Sequence, residues 1–345
     1  MPFPLFAAHP DAQKIQRETV SFLNRFQLFW DDKQRKRIEG INTGLLAAMQ
    51  VPTGPTDRLQ CLADFLTWVF AWDDEYCDDR PIAGRPGEHA TANAMLQRAV
   101  EITEYQLDST DRYGKALRDI RLRLEAATSP NTGEAFTELV LGYLRTELRR
   151  VVLADVGLSE DLSAYVSTRI VSGGALVFPM LAVTVACSRN HPALSSDRRV
   201  RALFEMAAFL TAGENDIFSF PKEKELTLPG KTENLVHVLA TEHDLTVGQA
   251  LTEAAGILNS TAGLYLRLRA DILRDAPADL ALFVSALDNY WNGSVLWQRD
   301  CPRYLYLDSS GRHVLPRPTT DALGFGGKPL TIPSIAWWWQ YDPRP

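Results

Sequence analysis

The feature that most constrains this chain is a hydrophobic period of about 3.6 residues that runs through most of it. No two-residue alternation long enough to build a sheet competes with it. From Asp57 onward, Leu59, Leu62, Leu66 and Phe70 recur at i, i+3 and i+4 spacing and make one apolar stripe. Comparable stretches cover 14–30, 34–49, 90–107, 112–127, 134–154, 161–187, 198–218, 244–274 and 277–298. Their joints carry Pro, Gly, Asp or Asn, as in Pro52-Thr53-Gly54-Pro55 and Ser129-Pro130-Asn131. The length of 345 residues leaves room for two domains, but no repeat or low-complexity linker divides the chain before residue 308. The pattern predicts an all-α, single-domain helical bundle of about ten helices over 1–308. Beyond Asp308 the composition turns to Gly, Pro and Thr, and 309–345 reads as an irregular C-terminal tail. Its Trp337-Trp338-Trp339 run either docks on the body or helps to shield a site from water.

The chain is 46% hydrophobic, which is enough to fill a core. Its net charge of −7, from 36 basic and 43 acidic residues, leaves no cationic excess for a nucleic-acid partner. Cys61, Cys77, Cys187 and Cys301 stand at no zinc-ligand spacing and read as reduced thiols of a cytoplasmic protein. MPFPLFAAHPD lacks the basic n-region and apolar run of a signal peptide. The longest apolar stretch, 173–187, is too short for a membrane span and contains Pro179; it reads as a buried core helix.

Two polar clusters break the helical pattern. Residues 73–79 pack five acids into seven positions at the C-terminal end of an amphipathic helix. The helix dipole is already negative there, so these acids call for a cation, and hard carboxylate oxygens favour Mg²⁺. Asp74 and Asp78 lie one turn apart, with Asp73 opening the cluster. In the second cluster Asn215, Ser219 and Glu223 recur at i, i+4, i+8 and share one helical face. An amide oxygen, a hydroxyl and a carboxylate there make a chelating set for Mg²⁺. Leu203, Met206, Ala207 and Leu210 precede this face, so the polar triad rides on a core helix, although Pro221 interrupts its hydrogen bonding. Metal-loaded acids would attract a polyanion such as diphosphate, and Arg169, Lys222, Arg303 and Tyr304 are suited to it. Gly173-Gly174 marks either close helix packing, the favoured reading, or a helix break that turns a carbonyl oxygen toward a bound cation.

In combination these residues resemble the class I terpene synthases of the bacterial type. Asp73-Asp74-Glu75-Tyr76-Cys77-Asp78 is similar to their DDxxxD-type motif. Asn215, Asp216, Ser219, Lys222 and Glu223 match every defined position of their NDxxSxxKE motif. Arg303-Tyr304 looks like their C-terminal Arg-Tyr pair, and Arg169, 46 positions before Asn215, like their diphosphate-sensing Arg. Ser172 and Gly173 fall at their linker and effector positions. The resemblance covers about 1–308. It implies a helical bundle around an apolar cavity, with three Mg²⁺ ions and a linear prenyl diphosphate as substrate, farnesyl diphosphate ahead of geranylgeranyl diphosphate. Asp73, Asn215, Ser219 and Glu223 would be metal ligands, with Asp74 and Asp78 ligating or supporting them. Arg169, Lys222, Arg303 and Tyr304 would bind diphosphate, and Gly173 would act at the reaction centre. A carbocation formed there would cyclise beside aromatic faces, for which Phe65, Trp68, Phe70, Tyr76, Phe178, Phe209, Trp291 and Trp297 are the candidates. A homodimer is a further expectation of the resemblance. A chain-elongating prenyltransferase would want a second aspartate-rich motif where this chain has Asn215 to Glu223.

Overall fold

The computed structural model describes residues 7–78, 85–108, 110–158, 160–188, 193–226, 234–304 and 328–344. Among them are fourteen α-helices and no strand. They are α1 (Ala12–Phe26), α2 (Asp32–Ile41), α3 (Thr43–Gln50), α4 (Thr56–Trp72), α5 (Pro86–Glu101), α6 (Arg112–Ala127) and α7 (Pro130–Asp155). Then follow α8 (Leu162–Arg169), α9 (Val177–Cys187), α10 (Ala193–Ser196), α11 (Arg198–Leu226), α12 (Leu235–Glu242), α13 (Val247–Arg274) and α14 (Ala278–Asp300). The all-α bundle read from the periodicity is the observed architecture. The excess over ten helices comes from short elements and from breaks inside segments that read as continuous.

Helix α4 shows how the bundle presents its chemistry. Its stripe at Leu59, Leu62, Phe65, Leu66, Val69 and Trp72 is buried. Trp68 and Trp72 stack at 5.8 Å, and Trp72 stacks on Tyr76 at 4.0 Å. The Trp68 indole donates 2.9 Å to the Tyr113 carbonyl on α6. This aromatic ladder fixes the end of α4, which continues as a π-helical turn over Asp73–Asp78 and so carries the acids on an anchored base.

The segment predicted as one helix over 161–187 is instead two helices separated by a break. Gly173 (φ 59°) and Gly174 (φ 74°) both occupy the left-handed region, which residues with a Cβ rarely adopt. A Cβ on Gly174 would also stand 2.8 Å from the ring of Phe178. The double glycine is therefore the helix break; the favoured packing reading is corrected, and the core helix begins at Val177. In the other direction, α11 runs past the predicted end at 218 and carries Pro221 inside it.

Of the tail, the described part includes a 3-10 turn over Ala336–Tyr341. Trp338 is fully buried, packs on Phe209 of α11 and donates 3.2 Å to Glu205. Arg267 of α13 grips Asp342 through two bonds of 2.9 and 2.8 Å. The tryptophans thus dock on the outer side of α11, and none of the three lines the cavity described below. No single described helix is long and apolar enough to cross a membrane.

Candidate active site

A cavity of about 250 Å³ opens between α3, α4, α8, α9, α11 and α14. Its apolar wall includes Leu66, Val69, Phe70, Phe178, Ala208 and Trp297, and both Asp73 and Asn215 line it. The two polar clusters, remote in sequence, therefore meet at one hollow.

On the α4 side, Asp73 is half-buried and its Oδ1 accepts 2.7 Å from the Tyr143 hydroxyl. Burial and the neighbouring Asp73 charge raise the Tyr143 phenol well above its ordinary value, so it remains a donor. Ligand atoms of Asp73, Cys77 and Glu147 all lie within 4.8 Å of one another. Asp74 differs from its neighbour. It is fully buried, takes 2.8 Å from Arg37 Nη2 and faces Arg303 Nη1 at 3.0 Å. Glu75 pairs with Arg112 and accepts 2.9 Å from the Tyr113 hydroxyl. Part of the charge crowded at this helix end is thus neutralised by the protein's own guanidinium groups. The side chain of Asp78 lies outside the described residues.

On the α11 side, Asn215 Nδ2 donates 2.7 Å to the Tyr304 hydroxyl, and its Oδ1 accepts 3.2 Å from Arg169 Nη2. Asp216 is buried in a dense cage. It takes 2.9 Å from Arg169 Nε, 2.5 Å from the Tyr165 hydroxyl and 3.2 Å from the Leu235 N–H. Burial opposes the Arg169 charge, yet Asp216 more than offsets this and the guanidinium pKa is raised. Asn234 caps α12 and also donates 2.7 Å to the Asp216 carbonyl, which fixes the following helix against the site. Ser219 lines the cavity one turn beyond Asn215. The side chains of Lys222 and Glu223 lie outside the described residues, although α11 carries both backbones.

The helix break completes the arrangement. Arg169 Nη1 donates 3.4 Å to the Ser172 hydroxyl, and the Gly173 N–H donates 2.8 Å to Glu147 Oε1. Glu147 is fully buried and pairs with Arg150. Arg169, Ser172, Gly173, Arg303 and Tyr304 all line the cavity.

Of the eight aromatic candidates, Phe70, Phe178 and Trp297 line this hollow. Phe65, Trp68 and Phe209 are fully buried in the core, Tyr76 stacks on Trp72, and Trp291 donates 3.0 Å to each Glu214 oxygen. Sequence reasoning missed Tyr143, Glu147, Arg150, Tyr165 and Arg37. Glu147 left a trace: it continues the buried stripe Val140, Tyr143, Leu144 and Val151 of α7, where a carboxylate needs partners.

The donor chemistry fits a hard divalent cation. A carboxylate, an amide oxygen and a hydroxyl from two helices border the same space. Comparison with known proteins agrees. Residues 64–262 match the model of terpene synthase family 2, C-terminal metal binding. The chain is 32% identical to a (+)-(1(10)E,4E,6S,7R)-germacradien-6-ol synthase of Streptomyces pratensis over 96% of this chain and 93% of that protein. It is 29% identical to a (+)-T-muurolol synthase, (2E,6E)-farnesyl diphosphate cyclizing, of Streptomyces clavuligerus over 98% and 81%. The crystal structure of the SVS_A2 protein, from ancestral sequence reconstruction, superposes with a TM-score of 0.80 at 25% identity, covering 98% of this chain and 97% of that one. The chain belongs to the terpene synthase family and has the all-α fold of the class I enzymes. It is an enzyme of a family that uses divalent metal ions and prenyl diphosphates.

Proposed function

We propose that this terpene synthase ionises a linear prenyl diphosphate in a Mg²⁺-dependent step and cyclises the resulting carbocation, releasing diphosphate. The single observation that carries the reading is that Asp73 and the Asn215–Ser219 face border one cavity, walled in part by apolar side chains, beside Arg169, Arg303 and Tyr304. Farnesyl diphosphate is the favoured substrate, in keeping with the substrate named for the T-muurolol relative; geranylgeranyl diphosphate is the alternative.

Asp73, Asn215, Ser219 and Glu223 would hold three Mg²⁺ ions, with Asp74 and Asp78 in support. Bound there, the ions supply Lewis-acid stabilisation of the charge that builds on the leaving diphosphate. Arg169, Lys222 and Arg303 add charge-assisted hydrogen bonds to its oxygens, and the Tyr304 hydroxyl adds a further one. Asp216 and Asp74 keep two of these guanidinium groups aimed and charged before substrate arrives. Glu147 accepts from the Gly173 N–H, which stabilises the break, and Gly173 would act at the reaction centre from there. Phe70, Phe178 and Trp297 offer aromatic faces that stabilise positive charge without bonding to it. The apolar wall excludes bulk water that would quench the cation early.

The test is incubation with farnesyl or geranylgeranyl diphosphate and Mg²⁺, with and without isopentenyl diphosphate. Diphosphate release and a cyclic product without isopentenyl diphosphate are expected. A product formed only when isopentenyl diphosphate is added would make the enzyme a chain-elongating prenyltransferase instead.

A further inference from the structure

Two polar residues interrupt the buried face of α5. His89 and Asn93 stand at i, i+4 and are both fully buried; the other buried residues of this helix are Leu96, Ala99 and Val100. Neither polar residue lines the cavity. Each instead meets a backbone carbonyl of another element. His89 Nδ1 stands 3.3 Å from the carbonyl of Tyr76, inside the π-helical turn that carries Asp73 and Asp74. Asn93 Nδ2 donates 2.6 Å to the carbonyl of Leu144 on α7. Leu144 directly follows Tyr143, whose hydroxyl donates to Asp73. One face of α5 thus grips both the turn that bears the ligand candidate and the helix that bears its hydrogen-bond donor.

The chemistry of these contacts fixes what the two side chains do. A carbonyl oxygen cannot donate, so His89 Nδ1 carries the proton. Burial pushes the imidazole pKa below its ordinary value and keeps the ring neutral. Nε2 therefore has no proton, and it has no hydrogen-bond partner among the described residues. A buried polar atom left that way costs about 1–3 kcal/mol. The ring stands edge-on to Trp72 at 5.7 Å and to Tyr76 at 6.3 Å, surroundings that a phenyl ring would suit without that cost. What the imidazole adds is the Nδ1 donor. The last turn of a helix leaves carbonyls beyond the reach of its own N–H groups, and Tyr76 lies in such a turn. The Leu144 carbonyl likewise requires the NH₂ of Asn93, whose Oδ1 then accepts 2.5 Å from Gln97.

We infer that His89 and Asn93 are positioning residues for the proposed metal ligand Asp73: they lock the π-helical turn and Tyr143 into one register, so that the carboxylate meets its cation already aimed. The inference rests on the proposed metal site and adds two residues that act on it from outside the cavity. Neither touches metal or substrate. His89 acts through the Tyr76 carbonyl on the turn, and Asn93 acts through α7 on Tyr143. Outer partners of this kind set how well a ligand is oriented, and their loss weakens metal binding by about 10–100-fold.

The experiment measures Mn²⁺ affinity in the presence of inorganic diphosphate, by electron paramagnetic resonance of the unbound ion, beside thermal unfolding. His89→Phe keeps a ring and removes the donor. His89→Gln moves an N–H to the place of Nε2, whereas His89→Asn retains one near the place of Nδ1. His89→Phe and His89→Gln should each weaken Mn²⁺ binding about tenfold, while His89→Asn stays within about twofold of wild type. Asn93→Leu should act in the same direction as His89→Phe. In an Asp73→Ala background His89→Phe should have no further effect on Mn²⁺, because the two residues then share one path. A merely structural role would destabilise the His89 variants without separating Asn from Gln in metal affinity. Affinity unchanged in folded His89→Phe and His89→Gln, or weakened as much in His89→Asn, overturns the inference and leaves the metal site intact. Wild-type protein that binds no Mn²⁺ with diphosphate defeats the proposed metal site, and this inference with it. Nitrogen-15 NMR of labelled histidine in the wild-type protein keeps the test open if the variants do not fold: a neutral His89 with its proton on Nδ1 is expected, and a proton on Nε2 contradicts the assignment.

Discussion

The Asp73–Asp74 pair and the Asn215–Asp216 pair repeat one design on different supports. In each, the first residue borders the cavity and the second is buried against an arginine that also lines it: Arg303 for Asp74 and Arg169 for Asp216, although Asp216, unlike Asp74, reaches the cavity lining as well. The supports differ. Asp73 and Asp74 stand on a π-helical turn at the end of α4, whereas Asn215 and Asp216 stand inside the 29-residue helix α11. The cages differ too. Asp216 is held by Arg169, Tyr165 and the Leu235 N–H, which tie α8, α11 and α12 together. Asp74 has two arginines, of which Arg37 is 40% exposed. The α11 pair is thus the structural anchor of the site and the α4 pair its looser counterpart.

Substitutions separate these roles. Asp73→Ala and Asn215→Ala should each lower turnover by about a hundredfold or more, on the scale of losing a preorganised electrostatic group. Circular dichroism should stay helical in both. Near-wild-type turnover in either would remove that residue from the metal site. Asp216→Ala should cost stability as well, by about 3–5 kcal/mol, because it leaves the buried Arg169 without its carboxylate. Asp74→Ala should cost less on denaturant titration, since solvent reaches one of its partners; an equal or larger loss would reverse the comparison.

The outer face of α11 gives a contrast with its cavity face. Trp338→Ala should lower stability by about 3–5 kcal/mol through the void beside Phe209, while activity per folded molecule is retained. Loss of turnover without loss of stability would instead give the tail a part in the chemistry. The smallest effect is a pH dependence of this strap. The Arg267 hydrogen bonds hold the Asp342 carboxyl well below its ordinary value. Its stabilising contribution is therefore complete above the unfolded carboxylate range near pH ~4 and is lost as pH falls through the lower folded value. Amide exchange over 336–341 should accelerate under acid in the wild type, and less so in Asp342→Asn.

Much of this was legible in the sequence because it is periodic. The stripe of α4 and the i, i+4, i+8 face of α11 required no tertiary knowledge, and they brought out Asp73, Asn215 and Ser219. Arg169 and Arg303 gained weight only from the resemblance to the class I terpene synthases, which carries an Arg 46 positions before Asn215 and a C-terminal Arg-Tyr pair. What escaped was the part that depends on distant partners. Glu147 gains its role from the Gly173 N–H 26 positions away, and Tyr165 from Asp216 51 positions away. The two glycines were visible, but only their positive φ values decided between break and packing. The aromatic candidates divided in the same way: composition cannot tell a ring that lines a hollow from one that fills the core.

The central claim is that α4 and α11 present oxygen ligands to one shared metal cluster around a diphosphate. Crystals grown with Mn²⁺ and inorganic diphosphate test it through anomalous scattering. The account predicts metal peaks beside Asp73 and beside Asn215 and Ser219, bridged by a single diphosphate that Arg169 and Arg303 contact. Metal bound at only one of the two helices, or diphosphate bound away from both, would contradict it.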